Sequence, residues 1–180
     1  MSLVVLLGGA RSGKSRLALE LAAASEAGVT YIATAEALDD EMTARIDRHR
    51  AERPSSWATV EEPLDLRRAI ASVDPGGTCV VDCLSLWVSN LMLRGDESGL
   101  VAAEAEACAA LGAQRTGLTV AVTNEAGLGV VPATPLGREY RDLLGAVNRT
   151  WVDAAERAAF VVAGKVLPLE RAAALFPELP

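Results

Sequence analysis

The sequence is poor in aromatic residues and contains a single histidine. Phe, Trp and Tyr make up 4% of its 180 residues, so alanine, leucine and valine must supply most of the core. Because histidine is the usual general base and a common metal ligand, the scarcity leaves His49 as the one imidazole available for such chemistry. The chain also lacks an apolar run of the roughly 20 residues that a membrane-spanning helix needs. We therefore expect no membrane span.

Cysteine is scarce and lacks the spacing of a metal site. Cys79, Cys83 and Cys108 are odd in number and contain no Cys-x-x-Cys pair. Because Cys79 and Cys83 lie in or beside an apolar run, we predict buried, reduced thiols rather than zinc ligands or disulfides. A predicted strand begins at residue 3, so we expect no signal peptide. These features predict a soluble cytoplasmic protein.

Positive charge is in deficit. The chain has 17 Lys and Arg residues against 24 Asp and Glu residues, which gives a formal net charge of −7. Nucleic-acid-binding proteins present basic patches or stripes, so this balance argues against a general nucleic-acid-binding role. It does not exclude an anionic ligand, because one loop and a few arginines can hold an anion locally.

Apolar runs alternate with helical patterns along the whole chain. This alternation predicts one α/β domain over residues 1–180, with a mostly parallel sheet covered by helices. Pro54 ends the helix before it, because the residue preceding a proline avoids the α region. The predicted strands are 3–7, 29–33, 79–82, 118–123 and 160–163, with a weaker one near 57–60; the predicted helices are 15–24, 39–53, 64–72, 100–115 and 136–157.

The segment GGARSGKS at residues 8–15 has the spacing G-x-x-x-x-G-K-S of a phosphate-binding loop. Its glycines allow backbone N–H groups to approach an anion closely. Lys14 can then reach the β and γ phosphates, and the Ser15 hydroxyl can bind Mg²⁺. The predicted helix that follows directs the positive end of its dipole at the phosphates. The segment therefore predicts a P-loop made of Gly8, Gly9, Ala10, Arg11, Ser12, Gly13, Lys14 and Ser15.

Two further predicted strands end on polar side chains. Asp82 ends an apolar run, and P-loop proteins place such an acid beside the Mg²⁺ shell; alternatively it caps the helix that follows. Asn124 and Glu125 end the next strand, where open α/β sheets bind their ligands. Glu125 could act as a base or bind a ligand hydroxyl, and it could equally cap a turn. We predict Asn124 and Glu125 as candidate substrate contacts.

His49 lies in a basic segment, with Arg45 four residues before it and Arg53 four residues after it. On a helix these three residues share one face. An imidazole that is neutral near pH 7 can act as nucleophile or base, and flanking guanidinium groups can hold phosphates. Composition alone nevertheless favours a solvated basic helix with an incidental histidine. We expect Met42 and Ile46 to form the buried side of this helix and the His49 face to be open.

Four segments together resemble one enzyme family. They are GGARSGKSR at 8–16, YIATAEALDDEMTARI at 31–46, RIDRHRAERPSSW at 45–57 and VTNEAGLGVVP at 122–132. They are similar to the bifunctional adenosylcobinamide kinase / adenosylcobinamide-phosphate guanylyltransferase of cobalamin biosynthesis. The resemblance extends from the P-loop to the predicted strand near 160–164. A P-loop alone does not discriminate among families, but the segment around His49 and the TNEAGLG segment are specific.

The resemblance implies two reactions with Mg²⁺ in one RecA-like P-loop fold that assembles as a homotrimer. ATP or GTP phosphorylates the aminopropanol hydroxyl of adenosylcobinamide, and GTP then donates GMP to adenosylcobinamide phosphate through a guanylylated histidine. That histidine corresponds to His49, which overrides the incidental interpretation. The family commonly has Glu where this chain has the shorter Asp82. The implied nucleotide-binding residues beyond the P-loop are Ala33, Thr34, Ala35, Arg50, Ala51, Glu52, Arg53, Glu61 and Asp82, and the implied metal ligands are Ser15 and Asp82.

Two other functions use the same P-loop. One is a small-molecule kinase without guanylyltransferase activity, and the other is a nucleotide-dependent switch or assembly ATPase. A switch requires a loop ordered by the γ-phosphate and a partner surface, and the sequence identifies neither. His49 in its arginine setting argues against both alternatives.

Overall fold

One mostly parallel sheet organises the chain. The computed structural model describes residues 2–175, so residue 1 and residues 176–180 of the domain predicted over 1–180 lie outside the described part. The strands are β1 (Ser2–Gly8), β2 (Val29–Ala33), β3 (Ala58–Glu61), β4 (Thr78–Asp82), β5 (Leu118–Asn124), β6 (Arg157–Val162) and β7 (Lys165–Leu169). The helices are α1 (Lys14–Ala23), α2 (Asp40–Ala51), α3 (Leu66–Ser72), α4 (Leu84–Arg94), α5 (Ser98–Gln114), α6 (Pro135–Ala154) and α7 (Ala172–Leu175).

The strand order is β3-β2-β4-β5-β1-β6-β7. Strands β1 to β6 pair in parallel, and β7 pairs antiparallel to β6. Strand β5 lies between β1, which leads into the P-loop, and β4, which ends on Asp82. The carboxyl ends of all these parallel strands meet at one edge, and open α/β sheets bind ligands at that edge. The predicted α/β fold is confirmed.

Helices cover both faces of the sheet and create two cores of unequal size. Leu3 and Val5 of β1 point into the larger core, which α3, α4, α5 and α6 cover. Leu6 points into the smaller core, which α1 covers. Because both faces of the central strands are buried, β1, β2, β4 and β5 are mostly apolar rather than apolar only at alternate positions. This explains why they were recognisable as continuous apolar runs.

The structure corrects the predicted boundary between the last long helix and the strand that follows it, and it adds further elements. The helix predicted over 136–157 ends at Ala154, and Arg157 already belongs to β6. The sequence patterns also predict neither α4 nor β7. Helix α4 buries polar Ser85 and Asn90 together with its apolar side chains, which obscures the helical period. Strand β7 follows a tight turn at Ala163 and Gly164, both with positive φ.

The three cysteines are free and buried, as the sequence predicted. Burial raises the pKa of the Cys79 and Cys83 thiols to about 11 and that of Cys108 to about 12. All three are therefore neutral thiols near pH 7. In the part of the chain that the structure describes, every helix is too short or too polar to cross a membrane.

The hairpin of β6 and β7 braces the P-loop from one side. The N–H of Gly164 donates to the carbonyl of Ser12 at 2.8 Å. Gly8 passes so close to β6 that a Cβ built on it would lie 2.2 Å from the carbonyl oxygen of Val161. Such a contact is shorter than any non-bonded approach that a side chain makes. Gly8 is therefore required by packing as well as by the turn.

We expect Gly8→Ala to lower the free energy of unfolding by about 1–3 kcal/mol, because the new methyl group forces β6 away from β1. The matched control is Gly9→Ala. A Cβ at Gly9 meets no atom within 4 Å, so we expect a change of about 0.5 kcal/mol or less. Urea unfolding followed by circular dichroism measures both. Equal effects of the two substitutions would contradict the close approach of β6.

Candidate functional site

The P-loop joins the carboxyl end of β1 to the first turn of α1. Gly13 caps α1 with φ +102°, a left-handed conformation that favours glycine. A Cβ at Gly13 would also lie 3.3 Å from the Cα of Gly164. The free N–H groups of the first helical turn therefore follow directly on a glycine-lined bend. This is the arrangement in which helix N-termini bind phosphate.

Lys14 is folded back into its own loop. Its Nζ donates to the carbonyl of Gly9 at 2.7 Å and to the Ser12 hydroxyl at 3.4 Å. Burial lowers the pKa of the Lys14 ammonium; Cys83 and Asp82 oppose this effect and Arg45 adds to it. Only 6% of Lys14 is exposed. A buried ammonium held by neutral oxygens is a strong point of attraction for phosphate.

A cavity of about 380 Å³ opens beside the P-loop and extends to α2. Although the whole chain is acidic, positive side chains outnumber carboxylates on the wall of this cavity. Local clusters of this kind raise the concentration of an anionic ligand. The cations are Arg11, Lys14, Arg16, Arg45 and Arg48, and the carboxylates are Glu41, Glu52 and Asp82.

A second cavity of about 220 Å³ lies between α2 and the carboxyl ends of β2 and β3. Met42 and Ile46 line this cavity together with His49, so all three share one side of α2. Every residue of α2 is at least partly exposed. The expectation that Met42 and Ile46 form a buried side opposite an open His49 face is therefore wrong. Helix α2 covers ligand-sized space rather than the core of the sheet.

His49 lies where the two cavities meet and lines both of them. Its Nδ1 is 3.9 Å from Oδ2 of Asp82, and 27% of its side chain is exposed. The Tyr31 hydroxyl donates to the same Asp82 oxygen at 2.5 Å. The Arg53 guanidinium stacks 3.8 Å above the centre of the Tyr31 ring. Asp82 is therefore fixed between β2, α2 and the P-loop.

Tyr31 can act only as a hydrogen-bond donor in this arrangement. Burial raises its pKa, and the Asp82 charge and hydrogen bond raise it further. The phenol stays protonated, which satisfies one of the carboxylate oxygens in a partly buried setting. Tyr31 was not predicted as a site residue, because an aromatic residue inside a buried strand carries no local signal of function.

Most of the predicted nucleotide-binding residues line one of the two cavities. Arg50 and Glu61 form an ion pair on the wall of the second cavity. Arg45 lines the P-loop cavity, as its place on the His49 face of the helix suggested, whereas Arg48 and Glu41 were missed. The P-loop cavity contains Ala10, Arg11, Ser12, Gly13, Lys14, Ser15, Glu52, Asp82 and Asn124, and the second contains Ala33, Ala35, Arg50, Arg53, Glu61 and Asp82.

Besides Gly8 and Gly9 at the start of the P-loop, three of the predicted residues lie away from both cavity walls. Thr34 is buried, and its hydroxyl donates to the carbonyl of Cys83 and accepts from the Cys83 N–H, both at 2.8 Å. Ala51 is exposed at the end of α2. Glu125 accepts a hydrogen bond from the Gly127 N–H at 2.6 Å, which is a turn-capping contact. Thr34 thus connects the ends of β2 and β4, and Glu125 shapes the loop after β5.

Ser15 and Asp82 offer a hydroxyl and a carboxylate to the P-loop cavity. In the described part of the chain, no group of three His, Cys, Asp or Glu residues could hold a metal by itself. Mg²⁺ in nucleotide sites takes most of its ligands from phosphates and water. One hydroxyl and one carboxylate are the side-chain ligands that P-loop enzymes provide. The donor set therefore fits a nucleotide-bound Mg²⁺.

Solved structures share the fold at low sequence identity. The chain is similar to the RadB recombinase, with a TM-score of 0.51, 18% identity and coverage of 88% of this chain and 73% of that chain. It is also similar to a protein from Pyrococcus horikoshii OT3, with a TM-score of 0.56, 8% identity and coverage of 93% and 85%. These likenesses concern the fold alone and agree with the RecA-like P-loop class.

Curated relatives match over almost their whole length. The Bifunctional adenosylcobalamin biosynthesis protein CobP of Pseudomonas aeruginosa is 48% identical over 167 residues, covering 92% of this chain and 96% of that protein. The CobU protein of the same description from Escherichia coli K12 is 38% identical over 175 residues, covering 90% and 96%. The family model described as "Cobinamide kinase / cobinamide phosphate guanyltransferase" matches residues 4–169. The chain therefore belongs to the cobinamide kinase / cobinamide phosphate guanyltransferase family.

Proposed function

We propose that this protein phosphorylates adenosylcobinamide and then guanylylates the product, with His49 carrying the guanylyl group. The observation that carries the proposal is the position of His49 on the shared border of two cavities. One cavity contains the P-loop, and the other contains groups suited to a nucleoside. A nucleophile at this border reaches the α-phosphorus of a nucleotide whose terminal phosphates occupy the P-loop.

The kinase step uses the P-loop cavity. The aminopropanol hydroxyl of adenosylcobinamide attacks the γ-phosphorus of ATP or GTP and loses its proton to water. The bond from that phosphorus to the β-phosphate oxygen breaks, and the nucleoside diphosphate leaves. Lys14 and the first N–H groups of α1 hold the transferring phosphoryl group, and positioning of this kind supplies most of the catalysis. Ser15 and Asp82 would hold Mg²⁺, whose chemistry is to neutralise charge on the phosphates.

The guanylyl step uses both cavities. An imidazole nitrogen of His49 attacks the α-phosphorus of GTP, and the bond to the β-phosphate oxygen breaks to release pyrophosphate. A phosphate oxygen of adenosylcobinamide phosphate then attacks the same phosphorus, the N–P bond breaks, and adenosylcobinamide-GDP forms. Asp82 lies on the Nδ1 side of His49, which leaves Nε2 for the attack. The arginines of α2 line the path along which pyrophosphate leaves.

The second cavity suits a guanine base. Glu61 offers carboxylate oxygens at the end of β3. Guanine donates from N1 and from its 2-amino group, and adenine has no N–H donor at either of these two positions. The Arg53 guanidinium over the Tyr31 ring adds a flat wall at the inner side. A site whose carboxylate accepts hydrogen bonds from one base strongly rejects a base that lacks those donors. We therefore assign the guanine of GTP to this cavity.

The family resemblance implies the assembly, and the reduced thiols that the sequence predicts favour a cytoplasmic location. We propose a homotrimer in the cytoplasm, which sedimentation velocity and cell fractionation test.

We expect Lys14→Ala to lower the rate of phosphoryl transfer to adenosylcobinamide by at least ~100-fold, because no neutral group replaces a charge aimed at the transferring phosphate. The measurement is transfer of ³²P from labelled ATP to the corrinoid. The control is Lys165→Ala, which removes the chain's other lysine from exposed β7 and should leave the rate unchanged. Near-normal turnover by Lys14→Ala would contradict the assignment of the P-loop.

We expect His49→Ala to abolish covalent labelling by [α-³²P]GTP while phosphoryl transfer stays within about threefold of wild type. Phosphorylated corrinoid should accumulate, because only the second reaction requires the nucleophile. The wild-type label should be released by acid, as expected for a phosphoramidate. The control Asp40→Asn, in the exposed first turn of the same helix, should label normally. Labelling of His49→Ala would identify a different nucleophile.

We expect Glu61→Gln to raise the Kd for GTP by about 10- to 100-fold and to leave the Kd for ATP unchanged. The glutamine amide opposes one guanine donor with a donor of its own. Inosine triphosphate, which lacks the 2-amino group, provides a second comparison. Wild type should prefer GTP over inosine triphosphate, and the variant should lose that preference. A preference that survives in the variant would place the guanine elsewhere.

A further inference from the structure

The loop between β5 and α6 exposes three large apolar side chains that the proposed reactions do not use. Leu128 is 77% exposed, Val130 96% and Val131 64%. Residues 126–134, which we call the apolar loop, carry no charged side chain. Single exposed apolar residues are ordinary, but a cluster on one loop indicates a contact surface.

The apolar loop is held in place at both ends. At its start, the Glu125 carboxylate accepts from the Gly127 N–H at 2.6 Å. At its end, Nη1 of Arg138 donates to the carbonyls of Pro132 and Ala133 at 3.0 and 2.9 Å. The exposed residues thus lie on a shaped support rather than on a free chain. A surface ordered before binding loses less entropy when a ligand docks on it.

The apolar loop starts on the wall of the P-loop cavity. Asn124, the last residue of β5, pairs in register with Gly8, the first residue of the P-loop. The N–H of Glu125 donates to the carbonyl of Gly8 at 3.1 Å. Asn124 itself lines the P-loop cavity. The apolar loop therefore begins beside the cavity that the reactive group of a substrate would enter.

We propose that the apolar loop binds the corrin macrocycle of the substrate, an inference that rests on the proposed function. A corrin is a broad, mostly apolar ring with neutral carboxamide side chains, and its aminopropanol arm is only a few bonds long. When the hydroxyl of that arm lies at the γ-phosphate, the ring stays at the mouth of the P-loop cavity. Leu128, Val130 and Val131 contact the ring there, and the exposed backbone groups of the loop bind its carboxamides.

The test compares Leu128→Ser and Val130→Ser with two controls. Leu128→Met keeps an apolar side chain at the same position. Leu167→Ser removes a leucine of similar exposure, 59%, from β7, three strands away from β5. The Kd for adenosylcobinamide is measured from the corrinoid absorbance in the presence of Mg²⁺ and a non-hydrolysable ATP analogue. The Kd for GTP, covalent labelling by GTP without corrinoid, and sedimentation velocity are measured on the same proteins.

We expect each serine variant to raise the Kd for adenosylcobinamide about tenfold, which corresponds to about 1.4 kcal/mol. The GTP Kd, the labelling and the sedimentation should match wild type, and both controls should bind corrinoid normally. An unchanged corrinoid Kd in the two serine variants overturns the proposal. A changed sedimentation coefficient with an unchanged corrinoid Kd would instead identify the apolar loop as a contact between copies of the chain.

Failure of the proposed function gives a different result. In that case wild-type protein neither binds adenosylcobinamide nor phosphorylates it, and both proposals are lost. If wild type binds the corrinoid and the serine variants bind it equally well, only the proposal for the apolar loop is lost. A parallel increase in the GTP Kd would show that the loop acts through the P-loop and would also overturn it.

Discussion

The hydrogen bond from the Tyr31 hydroxyl to Asp82 is the contact on which the site depends. It joins the middle of β2 to the carboxyl end of β4 and fixes one carboxylate oxygen between the two cavities. A partly buried carboxylate needs such a donor, because an unpaired buried charge is very costly. Once Asp82 is fixed, it faces both the P-loop cavity and the Nδ1 atom of His49. One acid can thus serve the metal-dependent step and orient the nucleophile.

Charge is distributed unevenly over this acidic chain. The net charge is −7, yet the wall of the P-loop cavity carries more cations than carboxylates. The P-loop and the first turn of α1 provide most of this excess through Arg11, Lys14 and Arg16, and helix α2 adds Arg45 and Arg48 but also Glu41. Helix α2 is only partly packed on the rest of the protein. A polyphosphate that enters the cavity supplies negative charge to balance Lys14 and these arginines. Nucleotide binding should therefore stabilise the position of α2 together with that of His49.

A site residue could be predicted from the sequence where its function requires a fixed local spacing. The P-loop was predictable because its chemistry requires two glycines, a lysine and a serine at fixed intervals between a strand and a helix. His49 acquired a role only through the family resemblance, since composition favoured an incidental residue. Tyr31 and Thr34 show two ways in which the sequence was a poor guide. Tyr31 was missed although it holds Asp82, and Thr34 was expected near the nucleotide although it connects two strands inside the protein.

The sequence by itself determined the parallel α/β architecture, the P-loop and the family, because apolar runs and motif spacing are local properties of the chain. Only the tertiary structure decided that Met42 and Ile46 share a cavity with His49, that the hairpin of β6 and β7 braces the P-loop, and that the apolar loop begins beside Gly8. These arrangements depend on which strands become neighbours, and strand order is set by packing across residues far apart in sequence. Periodicity within one segment carries no record of that packing.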